Sequence, residues 1–253
     1  MRVITRLKHY LLTSWPVRKG TAETDPASAY DIWALSYDNQ PDNLMLALDD
    51  ELFSGFVNEI DLKEATVADV GCGTGRHWNE IIAKGPKDLF GFDISEGMLQ
   101  VLQKKFPQAK TFLLHDNHLT GLANNTCDLV VSTLALAHIE DIRQALEEWC
   151  RVLKRGGVIL ITDYHPEALA KGAKRTFRHQ DKLIAVRNHV HSIKTVRRLA
   201  RQLDLEVLHF TERRIDDSVR SYYQKQNALP VFERFKDMPI IYGIFLKKTD
   251  ASV

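Results

Sequence analysis

Three glycines alternate with other residues in ATVADVGCGTGRHWNE (residues 65–80), directly after an apolar run. Gly71, Gly73 and Gly75 therefore stand where a strand turns into a helix, and a ligand can touch main-chain amides there because side chains are missing. A dinucleotide fingerprint needs glycine at position 76, which is Arg76, and the GK[ST] of a phosphate-gripping loop does not follow. Asp93 closes the next apolar run, eighteen residues after Gly75, where a ribose binder needs an acid. Histidines also recur at the ends of apolar runs: His138 in LALAHIED and His165 in TDYHPE, the latter beside Asp163 and Tyr164, with His189 and His191 further on. Convergence of 165, 189 and 191 raises a metal site. It is set aside because HxH pairs are common without metal, and no carboxylate or cysteine ligand is spaced with them.

The elements that must position these residues follow from periodicity. Short apolar runs near 66–70, 88–93, 110–114, 128–133 and 157–163 read as strands, with helices near 75–84, 95–106 and 139–154 between them. Such alternation gives βαβ units and a parallel sheet covered on both faces. Residues 43–60 carry helical spacing with Asn43 as a cap. Residues 1–19 read as a short basic amphipathic helix ended by Pro16. RTFRHQDKLIAVRNHVHSIK reads as a hairpin turning at RHQDK, with His189 and His191 on one face of its second strand. A helix starts at Ser192, and LEVLHF and IIYGIFL make two final strands in an antiparallel edge hairpin.

Taken together, VADVGCGTG, LFGFDIS, LLHDNHL, CDLVVSTLALAHIED and RVLKRGGVILITD occur in the order of the motifs of the class I S-adenosylmethionine-dependent methyltransferases, and the chain resembles that family over roughly 30–246. The segment AYDIWALSYD is similar to the YDxxAxxYD stretch of the ubiquinone/menaquinone-biosynthesis group of small-molecule methyltransferases. The resemblance implies a Rossmann-like α/β fold, a seven-stranded mostly parallel sheet with helices on both faces. It implies S-adenosyl-L-methionine as cofactor and S-adenosyl-L-homocysteine as product. Cofactor-binding positions carried over are Tyr37, Asp69, Gly71, Cys72, Gly73, Asp93, Ile94, Met98, Asp116, Asn117 and Ser132. Asp93 would take the ribose hydroxyls, since a carboxylate accepts two hydrogen bonds from a diol. Asp116 and Asn117 would meet the adenine, and Asp69 the methionine end. One domain is expected: a helical cap (1–60), a cofactor half (61–163), a hairpin lid (164–191) and a C-terminal helix with antiparallel strands (192–253).

A sulfonium methyl is already activated, so the protein chiefly has to align an acceptor and exclude water. Phenols and enols profit from a base. His165 is the first choice for acceptor contact, with His189 and His138 as further catalytic candidates and no metal. The acceptor is read as a small organic molecule methylated at oxygen; RNA or protein methylation and a catalytically silent partner subunit are the rival readings. Lys171, Lys174, Arg175, Arg178, Lys182 and Arg187 read either as a solvated hairpin surface or as the site of an anionic acceptor. Lys and Arg total 34 against 33 Asp and Glu among 253 residues, which argues against a nucleic-acid footprint. Three widely spaced cysteines without CxxC argue against a disulfide framework, and the absence of a long apolar run and of a signal pattern points to a soluble cytoplasmic protein. The basic helix 1–19 leaves peripheral membrane contact open. Oligomeric state is not legible.

Overall fold

The computed structural model describes residues 23–249. The expected basic helix and its membrane contact fall on 1–19, outside the described residues. Among these, no helix is long and apolar enough to cross a membrane.

The short strand β1 (Glu23–Thr24) and helices α1 (Pro26–Tyr37) and α2 (Leu44–Val57) precede the alternating region. There β2 (Thr66–Val70), α3 (Trp78–Ala83), β3 (Asp88–Asp93), α4 (Glu96–Lys105), β4 (Lys110–Leu113), β5 (Cys127–Thr133), α5 (Ile142–Val152) and β6 (Leu153–Tyr164) follow in turn. Caps start several helices, Asn43 as expected: it accepts from the amides of Met45 and Leu46, Ser95 from Met98, and Asp141 from Arg143 and Gln144. After α6 (Pro166–Ala170), β7 (Thr176–His179) and β8 (Lys182–Val186) form the hairpin, turning through Gln180 and Asp181 at φ +47° and +62°. Consecutive left-handed residues match the right-handed twist of a two-residue hairpin. Strand β1 pairs with β8, making a small three-stranded sheet.

Helix α7 (Ile193–Gln202), β9 (Leu205–Arg214), α8 (Arg220–Lys225), α9 (Leu229–Phe235) and β10 (Pro239–Lys248) complete the described chain. The main sheet has seven strands in the order β4-β3-β2-β5-β6-β10-β9, parallel through β6, with β10 antiparallel to both neighbours. The two final strands are thus antiparallel at the sheet edge, but α8 and α9 lie between them. Every residue of β2 is buried, as a strand covered on both faces requires. One core, with Phe53, Trp78, Met98 and Phe232, fills the face under α2, α3 and α4; the other, with Trp149, Val196 and Leu199, lies under α5 and α7. The parallel strands end in the glycine turn after β2, Asp93 after β3 and the turn after β5, so these three face one crevice.

Candidate active site

Helix α1 presents two Tyr-Asp pairs seven residues apart, two helical turns, so the like members share a face. Tyr30 and Tyr37 line the crevice. The aspartates fasten the helix across it. Asp31 accepts from the Ser95 hydroxyl (2.6 Å) and the Gly97 amide (2.8 Å), and Asp38 accepts from the Thr74 hydroxyl (2.6 Å) and Lys105 Nζ (2.9 Å). Arg76, where a dinucleotide fold would have glycine, instead reaches α2, pairing with Asp49 and Asp50 and donating to the Leu46 carbonyl at 3.2 Å.

The crevice has a volume of about 520 Å³, within the range of roughly 300–1,000 Å³ usual for small-molecule sites. Gly71, Gly73, Asp93, Ile94, Met98, Asp116, Asn117, Tyr37 and His138 all lie on its wall. The two central glycines serve different ends. Gly73 is left-handed, and a Cβ there would meet nothing within 4 Å, so it faces open space on the crevice wall. At Gly71, by contrast, a Cβ would stand 2.4 Å from that of Ala135, so this glycine also lets the turn after β5 come close. Gly75 packs against Leu102 and Phe106 of α4. Asp93 is buried, accepting from the amides of Gly73 (2.7 Å) and Ser95 (2.9 Å). Burial raises its pKa to about 6, against the pull of those amides. Two of about four lone-pair positions remain for a diol. Asp116 closes a local turn by accepting from the His118 amide (2.8 Å), and Asn117 donates to Gln144 (3.0 Å).

Three carried-over positions are not on the wall. Asp69 is buried against Trp78, whose indole N–H donates to it at 2.8 Å, and burial raises its pKa to about 7. Cys72 is a buried thiol with its pKa pushed up by burial, and Ser132 is fully buried with no partner for its hydroxyl. These residues support the turn from beneath.

At the opposite end, Leu134 adopts φ +52°, a rare conformation for a bulky residue and one that concentrates at functional sites. A single 3₁₀ turn, Leu136–His138, follows. Asp163 holds this turn through the Ala137 amide (2.6 Å) while its other oxygen accepts from the Tyr164 amide (2.6 Å). The stretch after β8 straps it from the other side: the Arg187 carbonyl accepts from His138 Nδ1 (2.8 Å), the His189 amide donates to the Ala137 carbonyl (2.7 Å), and His191 Nε2 donates to the Ile139 carbonyl (2.8 Å). A carbonyl can only accept, so Nδ1 carries the proton. Burial lowers the His138 pKa to about 4, leaving the ring neutral and Nε2 free to accept from Tyr30 Oη at 2.9 Å. Arg175 Nη1 in turn donates to Tyr30 Oη (3.1 Å) and to the Leu134 carbonyl (3.2 Å).

Of the histidine candidates, only His138 reaches the crevice. His165 caps α6, its Nδ1 accepting from the Glu167 amide (3.2 Å) and its Nε2 lying 3.4 Å from Glu212, on a separate open groove. The His189 ring stacks on His191, centroids 6.1 Å apart, outside the crevice. Among the described residues no group of three or more His, Cys, Asp or Glu could hold a metal ion. Arg175 corrects the reading of the hairpin cations as a wet surface: it is 4 % exposed and lines the crevice. It precedes β7 by one residue, and Thr176 and Phe177 after it are buried as well, so no alternation marked it in the sequence.

Residues 68–161 match the family model described as a methyltransferase domain. Over that stretch the chain is similar to S-adenosylmethionine-dependent methyltransferases. It is 30% identical over 108 residues to the ubiquinone/menaquinone biosynthesis C-methyltransferase UbiE of Campylobacter jejuni, covering 40% of this chain and 46% of that protein. It is 30% identical over 155 residues to the malonyl-[acyl-carrier protein] O-methyltransferase of Methylococcus capsulatus, covering 60% and 54%. The chain thus spans about half the length of these curated relatives. Magnesium protoporphyrin IX methyltransferase of Synechocystis, solved with bound S-adenosylhomocysteine, superposes with a TM-score of 0.60 at 16% identity over 88% of this chain and 95% of that one. At that identity the likeness concerns the class I methyltransferase fold.

Proposed function

We propose that this chain transfers the methyl group of S-adenosylmethionine to an oxygen of a small organic acceptor, in a pocket closed by α1 and the β7–β8 hairpin. The observation that carries the reading is one crevice with two unlike ends. Asp93, Asp116 and Asn117 line one, with Gly73 leaving open space, and Tyr30, His138 and Arg175 line the other. The fit to the cofactor rests on Asp93, which is fixed by two amides and keeps lone pairs for a ribose, and on the main chain at Gly73. When bound, the cofactor supplies an activated methyl on a sulfonium. Tyr37 and Met98 would flank it, and Ile94 would lie against its nucleoside. Tyr30 and Tyr37, pinned by the neighbouring aspartates, exclude water. The neutral Nε2 of His138 is the proton acceptor at the far end, reached through the Tyr30 hydroxyl. That suits an acceptor oxygen; of the two curated relatives, one is named for transfer to carbon and the other for transfer to oxygen.

Calorimetric titration with S-adenosylmethionine and S-adenosylhomocysteine tests the cofactor half: the wild type binds and Asp93→Ala loses binding. Wild-type-like binding by that variant, or none by the wild type, overturns the reading. With an acceptor in hand, His138→Ala should lower turnover by about 10²–10⁴, the range of general base catalysis, with cofactor affinity little changed, while His165→Ala stays near the wild type.

A further inference from the structure

Among the described residues Arg175 is a buried cation without a counter-ion. It makes no ion pair with them, its Nη1 donates to the neutral Tyr30 hydroxyl and the Leu134 carbonyl, and its Nη2 has no hydrogen-bond partner although the residue lies on the crevice wall. The guanidinium lies over the Tyr164 ring, 5.5 Å from its centroid, an arrangement that holds the group without neutralising it. Asp163, the acid whose charge acts on it, uses both oxygens on the amides of Ala137 and Tyr164. Asp93, on the same crevice, is likewise engaged by amides. Burying a guanidinium with a free donor is costly unless something satisfies it, and stability sacrificed in a pocket is a mark of a binding site.

We infer that the acceptor carries one carboxylate besides the oxygen that is methylated, and that Arg175 recognises that carboxylate at the acceptor end of the crevice. This rests on the methyltransferase reading and names its substrate class. Charge decides for a carboxylate over a phosphate. Arg175 is the one Lys or Arg on the wall among the described residues, so a single negative charge is matched and a second would be stranded. Tyr30, Leu134, Ala135, Ile139 and the uncharged His138 add no charge, and the acids on the same wall, Asp93, Asp116, Glu140 and Asp141, would repel a second negative charge. The cofactor's own carboxylate is the other source of the same chemistry. Arg175 lies outside the matched domain of residues 68–161, in the hairpin segment, with Tyr30 and the Leu134 carbonyl as its partners, and the S-adenosylhomocysteine titration separates the two sources.

The test uses wild-type protein saturated with S-adenosylhomocysteine and titrated calorimetrically with benzoate, phenylacetate, salicylate and hexanoate, each beside its primary amide. At least one carboxylate should bind, its amide at least tenfold more weakly. Arg175→Met should lose that binding at least tenfold, keep S-adenosylhomocysteine affinity within threefold, and melt, without ligands, no lower than the wild type, since it removes an unpaired buried charge. Arg175→Lys should restore part of the carboxylate affinity. The inference falls if wild type binds S-adenosylhomocysteine but none of the four acids, if amides bind as well as acids, or if the ligand-free Arg175→Met protein melts well below the wild type. A tenfold loss of S-adenosylhomocysteine affinity in Arg175→Met would assign the guanidinium to the cofactor's carboxylate and overturn it too. Failure of the wild type to bind S-adenosylhomocysteine at all would instead bring down the methyltransferase reading and, with it, this one.

Discussion

Gly71→Ala separates two reasons for a glycine-rich turn. The residue has φ +75°, and a methyl there would stand 2.4 Å from the Cβ of Ala135. A left-handed alanine costs about 1–2 kcal/mol, and forcing apart a packed contact costs about 1–3 kcal/mol more. The expected destabilisation is therefore roughly 2–5 kcal/mol, which for a chain of this length lowers Tm by roughly 4–20 °C. Gly73→Ala carries only the conformational part, about 1–2 kcal/mol, because a Cβ there meets nothing within 4 Å at φ +54°. Its damage should appear in cofactor affinity instead. Adding Ala135→Gly to Gly71→Ala should return the packing part of the loss, a coupling that a double-mutant cycle measures directly. Thermal unfolding by circular dichroism and calorimetric titration with S-adenosylhomocysteine provide the two readouts. Equal Tm losses for the two single variants, or no recovery in the double variant, would refute the assignment of Gly71 to the approach of Ala135.

Affinity for S-adenosylhomocysteine should be flat above pH 7. Because the Asp93 pKa is raised to about 6 by burial, acidification protonates the carboxylate that should receive the ribose, and affinity at pH 5 should be about tenfold weaker. Asp93→Asn should bind weakly with no step near pH 6, and a step surviving in that variant would move the effect to another group. Asp31→Ala removes acceptors for the Ser95 hydroxyl and the Gly97 amide and should cost about 1–3 kcal/mol in urea unfolding, with faster proteolysis within α1; unchanged proteolysis would show that the helix is held by its apolar face alone. Trp78→Phe takes the indole donor from the buried Asp69 and should cost about 2–4 kcal/mol; a loss under 1 kcal/mol would mean that the carboxyl finds another partner.

The parallel half of the sheet was legible because strands buried on both faces are written as apolar runs, and the residues at their ends fall on one crevice by topology. Gly73 and Asp93 could be placed on that logic, while Asp116 came with the family resemblance. The acceptor end obeyed no such rule. His165 directly follows β6 in sequence, but the carboxylate of Asp163 turns inward to hold the 3₁₀ turn, and the imidazole instead starts α6 on an outer groove. Arg175 read as surface because charge is the stronger local signal; its burial depends on Tyr30 and Leu134, remote in sequence. Helices α8 and α9 have six and seven residues, too short to establish a periodic stripe.

The strand order has a consequence for biosynthesis. Strand β10 lies between β6 and β9, so β6 has an unpaired edge until residues 239–248 exist. Translation of the segment from 165 to 238 takes roughly 4–15 s at ordinary elongation rates. During that interval the nascent chain carries β2 to β6 with an apolar flank open to water, a natural place for chaperone attention. Nonsense or frameshift lesions upstream of residue 239 would remove an internal strand of the sheet rather than trim its rim.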